Sequence, residues 1–332
     1  MKQMSLWNTA LDRRAFCAGG LGLLGQSMQA APRPSSVRFG LMADLHHNRM
    51  PGAEDRLHQF LEAVGHRSPD FIIQLGDFCD GYSAQLTDDQ KRFLKTWHDF
   101  RATKYSVLGN HEMDHSPKER MVDLLRMPKN YYAFDRNGIH FVVVDCMNLA
   151  ENGKIVNYVE GNYFRHSESE INLVDPEQMD WLQHDLRTTR LPTVVFTHPC
   201  INAYWKQGAE RTRANVRQVL SQANREAGWQ KVIACFSGHH HVDHHSESGG
   251  VNYFLVNSAS YYWVGKEFGK LARYRDPLFT FVTIHASGSL TIEGKASTFV
   301  PPTPADLKYP DAKFLTASIE ARTVHFQVSS GA

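Results

Sequence analysis

The fold of this chain is indicated most clearly by residues 71–80, which read FIIQLGDFCD. Four of the first five residues are apolar, and the run is rich in β-branched and aromatic side chains, which is typical of a buried strand. Gly76 and the carboxylates Asp77 and Asp80 follow it at once. A polar cluster directly after a buried strand is typical of an α/β protein, in which ligands bind beyond the carboxyl ends of the strands.

The same arrangement recurs on both sides of this stretch, always as a strand-like run followed by polar residues. The clusters are Asp44-Leu45-His46, Gly76-Asp77-Phe78-Cys79-Asp80, Gly109-Asn110-His111-Glu112, Thr197-His198 and Gly238-His239-His240-His241. Because loops at the carboxyl ends of strands converge on one crevice, clusters that are distant in sequence can meet there. Carboxylates, an amide oxygen and imidazoles together suit divalent transition metals.

The spacing within the clusters supports a shared metal site. Asp44 and His46 are two residues apart, as are His239 and His241, so each pair can present alternate side chains to one centre in extended backbone. A glycine precedes three of the candidate ligands, at positions 76, 109 and 238. A residue without Cβ lets the chain turn sharply there and lets the backbone approach an ion closely.

Helical and hairpin patterns alternate with these strands. The predicted elements are a helix over 54–64, a capping box at 87–90 with a helix to about residue 100, a hairpin of 131–136 and 139–145 around Asn137-Gly138, helices over 176–186 and 213–227, and later strands over 253–257 and 279–284. The pattern predicts an α/β fold with two packed mixed β-sheets, a β-sandwich, flanked by α-helices. We assign it to residues 31–300, followed by a C-terminal extension over 301–332 with an edge strand near 323–328.

Composition limits the class of partner. With 42% apolar and 21% charged residues, the chain has globular proportions. The formal charge is +1, and about −1 without residues 1–30, so no binding to nucleic-acid duplex is expected. No apolar stretch reaches the roughly 20 residues that a spanning helix needs, so no stable membrane insertion is expected. The sequence leaves the oligomeric state open.

The first thirty residues resemble a twin-arginine export signal. Asp12-Arg13-Arg14-Ala15-Phe16 is followed by an apolar, glycine-rich run and a small-residue end. We therefore expect export of the folded chain to the periplasm or the extracellular space. Cys17 precedes the apolar run, which argues against lipidation. The four later cysteines are scattered, and we expect no disulfide framework.

Taken in order, the motifs D-x-H, G-D-x-x-D, G-N-H-E, V-x-x-H and G-H-x-H resemble those of the calcineurin-like metallophosphoesterase superfamily, over about residues 40–241. The resemblance implies a metallophosphoesterase-like fold and two divalent ions, with Mn²⁺, Fe²⁺ and Zn²⁺ all compatible with the ligands. It implies one metal held by Asp44, His46 and His241, a second held by Asn110, His198 and His239, and Asp77 bridging both.

The resemblance also implies roles beside the metals. His111 would face the phosphate, and Asp80 and Glu112 would orient imidazoles by accepting their remaining N–H groups. Asp80 stands where the purple acid phosphatase branch has a metal-bound tyrosine, so a ferric-tyrosinate centre is not expected. Two ions about 3.5–4 Å apart activate a shared water for direct attack on phosphorus, without a phosphoenzyme.

The expected function is metal-dependent hydrolysis of a small phosphomonoester or phosphodiester. A nucleotide-like substrate is favoured because aromatic residues that could line the crevice follow two of the clusters: Tyr204, Trp205, Tyr261, Tyr262 and Trp263. The alternative is a non-catalytic metal-binding or scaffold protein of the same fold, against which the complete ligand set argues. The remaining polar residues near the motifs are interpreted as solvated loop neighbours: His47, His240, Asp243, His244 and His245.

Overall fold

The structure is a computed structural model that describes residues 36–202, 210–264, 270–310 and 312–327. The export signal predicted at residues 1–30 and the aromatic residues Tyr204 and Trp205 lie outside these ranges.

Five α-helices occur in the described residues: α1 (Ala53–Arg67), α2 (Asp88–Asp99), α3 (Lys118–Leu124), α4 (Pro176–Thr188) and α5 (Glu210–Ala227). The strands are β1 (Val37–Met42), β2 (Phe71–Gln74), β3 (Lys104–Ser106), β4 (Tyr132–Arg136), β5 (Ile139–Val143), β6 (Asn148–Glu151), β7 (Lys154–Asn157), β8 (Thr193–Thr197), β9 (Val232–Ser237), β10 (His244–Ser248), β11 (Val251–Leu255), β12 (Tyr261–Trp263), β13 (Leu271–Arg273), β14 (Thr280–His285), β15 (Ser289–Ile292), β16 (Lys295–Ala296), β17 (Ser318–Ile319) and β18 (Arg322–His325). Short 3₁₀ turns lie at His111–Met113, Asn162–Arg165 and Ala312–Phe314.

Two six-stranded mixed sheets form the centre of the fold. The first has the order β18-β15-β14-β1-β2-β3, with β1, β2 and β3 parallel. The second has the order β10-β11-β9-β8-β5-β4, with β5, β8, β9 and β11 parallel. This confirms the predicted class of α/β protein with two mixed sheets and flanking helices.

Aromatic side chains join the two sheets. Phe39 of β1 meets Phe141, Phe196 and Phe236 edge-on, with ring centroids 5.8, 5.7 and 6.0 Å apart. These three partners belong to β5, β8 and β9 of the second sheet, and all four rings are buried. Edge-to-face pairs add to the stabilisation from apolar burial, so the sheets are held face to face by this cluster.

Local sequence signals account for several boundaries. Thr87 and Gln90 form the predicted capping box at the start of α2, with Gln90 N–H donating to Thr87 Oγ1 over 3.2 Å. Between β4 and β5, Asn137 and Gly138 both have positive φ, of 48° and 77°. Two such residues are what a tight hairpin turn of type I′ requires, and the hairpin forms in the predicted register.

The C-terminal strand β18 covers Arg322–His325 and pairs antiparallel with β15 at the edge of the first sheet. Its Arg322 forms an ion pair with Asp243, whose side chain is almost fully buried, at 2.6 Å. The cysteines at positions 79, 146, 200 and 235 are buried and unbridged. No helix among the described residues has both the length and the apolar character to cross a membrane.

Candidate metal centre

Seven side chains predicted as metal ligands converge where the parallel strands of the two sheets end. They follow β1, β2 and β3 of the first sheet and β8 and β9 of the second: Asp44, His46, Asp77, Asn110, His198, His239 and His241. Hydrogen bonds between the loops hold the clusters together. Asp44 N–H donates to the carbonyl of Gly76 at 3.1 Å, His46 N–H to that of Asp77 at 2.9 Å, and Gly238 N–H to that of His198 at 3.0 Å.

The first group of ligand atoms comes from Asp44, His46 and His241. Its three atoms lie within 4.8 Å of one another, and all three residues are buried. The two Nε2 atoms of His46 and His241 face each other at 3.1 Å, and His241 Nε2 lies 3.4 Å from an oxygen of Asp44. Two imidazole nitrogens aimed at each other beside a carboxylate suit a cation bound between them.

The second group comes from Asp77, His198 and His239. His198 Nε2 lies 3.0 Å from Asp77 Oδ2 and 3.1 Å from His239 Nδ1. The same Asp77 oxygen lies 4.0 Å from His46 Nε2, which belongs to the first group. Asp77 therefore lies between the two groups, as the bridging role requires.

Asn110 provides a direct test of whether these residues suit a metal. Its amide nitrogen donates to the Tyr163 hydroxyl at 3.1 Å, which fixes the orientation of the side chain. Its Oδ1 atom is buried and has no hydrogen-bond partner among the described residues. A buried acceptor without a partner costs about 1–3 kcal/mol, and a metal ion bound to Oδ1 would remove that cost. The residues present therefore fit a metal pair.

Three imidazoles are oriented by a hydrogen bond to Nδ1, which leaves Nε2 facing the centre. The acceptors are a carboxylate oxygen of Asp80 for His46 at 2.7 Å, the Leu75 carbonyl for His198 at 2.8 Å, and the Tyr261 carbonyl for His241 at 2.8 Å. An oxygen acceptor at Nδ1 selects the tautomer whose Nε2 lone pair can bind a metal. Asp80 thus has the orienting position predicted for it.

Glu112 does not have the predicted role of an imidazole acceptor. Its fully buried carboxylate accepts four backbone N–H groups, from Asp77 at 3.0 Å, Phe78 at 2.6 Å, Cys79 at 3.2 Å and Gly109 at 2.6 Å. The reason is geometric, because the chain turns back after β3 and places Glu112 beneath the loop that follows β2. Glu112 therefore holds the backbone of two ligand loops together.

The ligand residues have strained backbones. Five of the seven have positive φ: Asp44 (55°), His46 (56°), Asp77 (49°), His239 (69°) and His241 (52°). Left-handed conformations are uncommon for residues other than glycine, and they cluster at functional sites because surrounding structure must hold them. The glycines allow neighbouring ligand loops to approach each other closely. A Cβ on Gly109 would lie 2.2 Å from Asp77 Oδ1, and one on Gly238 would lie 2.5 Å from Asp44 Oδ2.

His111 lies beside the two groups and is buried. One of its ring nitrogens lies within 4.8 Å of the ligand atoms of His46 and Asp77. Burial opposes protonation of His111, but the carboxylates Asp77, Asp80 and Asp114 outweigh it and raise its pKa to about 10. The surroundings therefore favour a positive charge at His111.

A pair of residues that the sequence did not single out holds the His111 ring. Asp114 Oδ2 accepts from His111 Nδ1 at 2.8 Å, and Tyr163 donates to the other oxygen of Asp114 at 2.6 Å. Asp114 follows His111 by three residues, a spacing that predicts contact within a helical turn. Tyr163 comes from the insertion after β7, and no local pattern points from it to the site.

The negative charge of the centre shifts the pKa of other groups as well. Burial opposes protonation of His198, but Asp77 outweighs it and raises the pKa of His198 to about 9. Burial also opposes ionisation of Asp80, yet His46 and His111 lower its pKa to about 2. Asp77 and Asp80 therefore stay ionised at neutral pH, and their negative charge attracts metal cations.

Two of the aromatic residues proposed for the rim, Tyr261 and Trp263, lie beside the centre. Trp263 stacks parallel to the His111 ring with centroids 5.8 Å apart. The rings of Tyr261 and His46 have centroids 5.2 Å apart. Tyr262 instead meets Tyr309. Phe164, which the sequence did not single out, lies 6.4 Å from His111 and is 56% exposed. An exposed aromatic side chain beside a buried polar centre is typical of a binding rim.

Two of the supposed solvated loop neighbours are structural. His47 is buried, stacks on Phe93 with centroids 3.9 Å apart and contacts the Tyr82 hydroxyl at 2.5 Å. Asp243 accepts hydrogen bonds from both terminal guanidinium nitrogens of Arg322. These two positions were interpreted as solvated, but the packing of α2 and β18 covers them. The other three are half-buried: His240, His244 and His245.

Two mixed sheets with this set of carboxylates and imidazoles at their strand ends define a metal-dependent hydrolase. The family model described as calcineurin-like phosphoesterase matches residues 37–243. The chain belongs to the calcineurin-like phosphoesterase family, which uses a dinuclear divalent metal centre. It is a hydrolase of phosphoric ester bonds.

Similar proteins agree with this assignment. The chain is 25% identical over 303 residues to the manganese-dependent ADP-ribose/CDP-alcohol diphosphatase of Oryza sativa subsp. japonica, covering 76% of this chain and 92% of the relative. Among solved structures, a dimetal phosphatase from Danio rerio has a TM-score of 0.60 at 16% identity, covering 89% of this chain and all of that chain. GAP50, the anchor in the inner membrane complex of Plasmodium, has a TM-score of 0.56 at 14% identity, with coverage of 89% and 90%. The last two likenesses concern the fold alone.

Proposed function

We propose that the chain is a manganese-dependent phosphoesterase that hydrolyses a phosphoric ester bond in a small, nucleotide-like substrate by direct attack of water. The observation that carries the proposal is the pair of ligand groups joined by Asp77, with His111 alongside. Manganese and a nucleotide-like substrate are supported by the similarity to the Oryza enzyme, whose name describes a manganese-dependent diphosphatase of ADP-ribose and CDP-alcohol.

In this proposal the metals would be held by the six side chains of the two groups together with Asn110. When bound, divalent ions supply charge that neutralises phosphoryl oxygens and acidifies water. The protein contributes orientation: Asp80 and two backbone carbonyls fix the imidazoles, and Glu112 fixes two ligand loops. These contacts keep the site ordered before substrate binds, so less ordering is needed during reaction.

His111 is proposed to hold the leaving oxygen. Asp114 fixes its Nδ1, so Nε2 remains for the substrate. The surrounding carboxylates raise the pKa of the ring, which favours the protonated form that can donate a proton or a charge-assisted hydrogen bond as negative charge builds on the departing oxygen. Trp263 and the exposed Phe164 flank this position and offer flat surfaces on which a nucleobase can stack.

GAP50 is described as an anchor and has this fold, so the fold by itself would also be compatible with the non-catalytic scaffold considered from the sequence. Fold likeness does not decide between the two, since function depends on the site rather than on the fold. Seven convergent ligand side chains, three imidazoles oriented through Nδ1 and a His111 with a raised pKa serve turnover, and a scaffold has no use for them. We therefore favour catalysis.

The test uses the full-length chain loaded with Mn²⁺ and a panel of p-nitrophenyl phosphate, bis-p-nitrophenyl phosphate, ADP-ribose and a CDP-alcohol. We expect hydrolysis of at least one substrate. His111→Ala should lower kcat by about 10²- to 10⁴-fold and leave the bound metal unchanged. Asp77→Asn should lower both activity and metal content. Protein that binds two metals but hydrolyses none of the four would support the scaffold instead.

A further inference from the structure

We propose that Arg49 recognises the second phosphoryl group of a diphosphate substrate. This inference rests on the proposed function and narrows its substrate class. It assigns to this site a preference for compounds with a P–O–P linkage over monoesters and diesters that contain a single phosphorus.

The position of Arg49 is set by the same carboxylates that contact His111. Arg49 Nε donates to Asp80 Oδ2, and its Nη2 lies 4.0 Å from Asp114 Oδ2. His111 Nδ1 lies 2.8 Å from that Asp114 oxygen and 4.0 Å from Asp80 Oδ2. Arg49 is therefore on the His111 side of the centre, where the leaving group is expected.

Hydrogen-bonding capacity remains on the Arg49 side chain. Its Nε is used by Asp80, whereas the 4.0 Å separation from Asp114 is too long for a hydrogen bond. The two terminal nitrogens can therefore donate to a ligand, and 30% of the side chain is exposed to solvent. A guanidinium presents these donors as a planar fork that matches two phosphate oxygens.

The guanidinium is also oriented by an aromatic ring. Its carbon lies 5.2 Å from the centroid of Trp263, within the range of a cation–π interaction. Trp263 in turn stacks beside His111. The charge is thus fixed by Asp80 and Trp263 before substrate arrives, so little side-chain entropy is lost on binding.

Hydrolysis of a diphosphate places charge where Arg49 lies. The water oxygen bonds to one phosphorus and loses a proton to solvent, the bridging P–O bond breaks, and its electron pair stays on the departing phosphate. His111 faces the bridging oxygen, and Arg49 is placed to pair with the remaining oxygens of that second phosphate. A single-phosphorus substrate has no group at this position.

A purely structural role for Arg49 makes a different prediction. If Arg49 only held Asp80, and through it His46, its loss would weaken metal binding and slow every substrate alike. The Mn²⁺ concentration for half-maximal activity would then rise, and saturating Mn²⁺ would restore activity. Substrate selectivity and Mn²⁺ requirement together separate the two roles.

The experiment compares Arg49→Ala and Arg49→Lys with the wild type in the full-length chain at saturating Mn²⁺, using ADP-ribose and bis-p-nitrophenyl phosphate. Arg49→Ala should raise KM for ADP-ribose about 10- to 100-fold. The values of kcat and KM for bis-p-nitrophenyl phosphate should stay within about 3-fold of those of the wild type. Arg49→Lys keeps the charge but loses the fork, so it should give a smaller rise. Arg225→Ala, on the exposed face of α5, is the control and should change neither substrate.

Equal losses on both substrates, or an unchanged KM for ADP-ribose at saturating Mn²⁺, would overturn the assignment of Arg49 and leave the proposed function intact. A wild-type protein that carries Mn²⁺ but hydrolyses bis-p-nitrophenyl phosphate and not ADP-ribose would also overturn it. Wild-type protein inactive on the whole panel would overturn the proposed function itself. The two failures are therefore distinguishable.

Discussion

Three imidazoles of the centre are oriented by the hydrogen-bond partner of their second ring nitrogen. His198 and His241 donate to backbone carbonyls, which no side-chain substitution can remove. His46 instead depends on Asp80, which accepts from its Nδ1 at 2.7 Å. Asp80 is therefore the residue through which the orientation of a ligand can be tested.

We predict that Asp80→Asn raises the Mn²⁺ concentration for half-maximal activity by about 10- to 100-fold. The amide keeps an oxygen for His46 but loses the charge that makes the imidazole a stronger ligand and that pairs with Arg49. A Mn²⁺ activation curve measures the shift. The exposed Asp123→Asn is the control, and an unchanged Mn²⁺ requirement in Asp80→Asn would contradict the orienting role.

At the scale of elements, the ligands depend on how each strand ends. Parallel strands of both sheets finish at the centre, and the residues just beyond them have left-handed backbones. Such conformations turn the chain sharply at Asp44, Asp77 and His239, just beyond the strand ends. Glycines are needed where two of these loops touch, because a Cβ would occupy the space of a ligand carboxylate.

Gly109→Ala is predicted to lower the free energy of unfolding by about 1–3 kcal/mol and to weaken metal binding. Its Cβ would lie 2.2 Å from Asp77 Oδ1 and 2.3 Å from the Asp77 nitrogen, so the two ligand loops must separate. Gly65→Ala in α1 is the matched control, because its Cβ would meet nothing within 4 Å. That change should instead stabilise by about 0.5–1 kcal/mol. Urea unfolding with and without Mn²⁺ measures both, and equal effects of the two changes would contradict the steric argument.

At the scale of the whole molecule, the centre exists only because two sheets face each other. Asp44, Asp77 and Asn110 come from the first sheet, whereas His198 and His239 come from the second. Neither sheet carries a complete set for two metals. The aromatic cluster around Phe39 that joins the sheets therefore also supports the spacing of the site.

The export signal that we propose for residues 1–30 leads to a prediction about where the protein works. Replacing both Arg13 and Arg14 by lysine should keep the phosphoesterase activity in the cytoplasm of a bacterial host with a twin-arginine pathway. Fractionation followed by an activity assay measures this. The same double replacement at the exposed Arg187 and Arg190 should leave export unchanged. Activity that still reaches the periplasm in the first variant would contradict the prediction.

Much of the fold could be predicted from the sequence because strand and helix signals are local. The Thr87 capping box and the Asn137-Gly138 turn form as expected. The two-sheet class followed from the alternation of these elements. The positions of the candidate ligands were also predictable, since each follows a strand and the strand ends converge.

Local patterns could not predict which partners the site residues would have. Glu112 accepts backbone N–H groups rather than imidazoles, and His47 is buried under α2. Tyr163 and Arg49 reach the site from segments with no motif. These contacts join residues that are 31 to 49 positions apart in the sequence, and only the packed chain brings them together.

The sequence alone therefore determined the elements, the metal-binding chemistry and the family, because propensity, capping and motif spacing are properties of neighbouring residues. Tertiary structure alone decided the tautomers of the histidines, the clamp made by Glu112 and the orientation of Arg49 over Trp263. The physical reason is that a hydrogen bond or a stacked pair depends on distance and angle in space. Folding sets those distances and angles through the packing of both sheets at once.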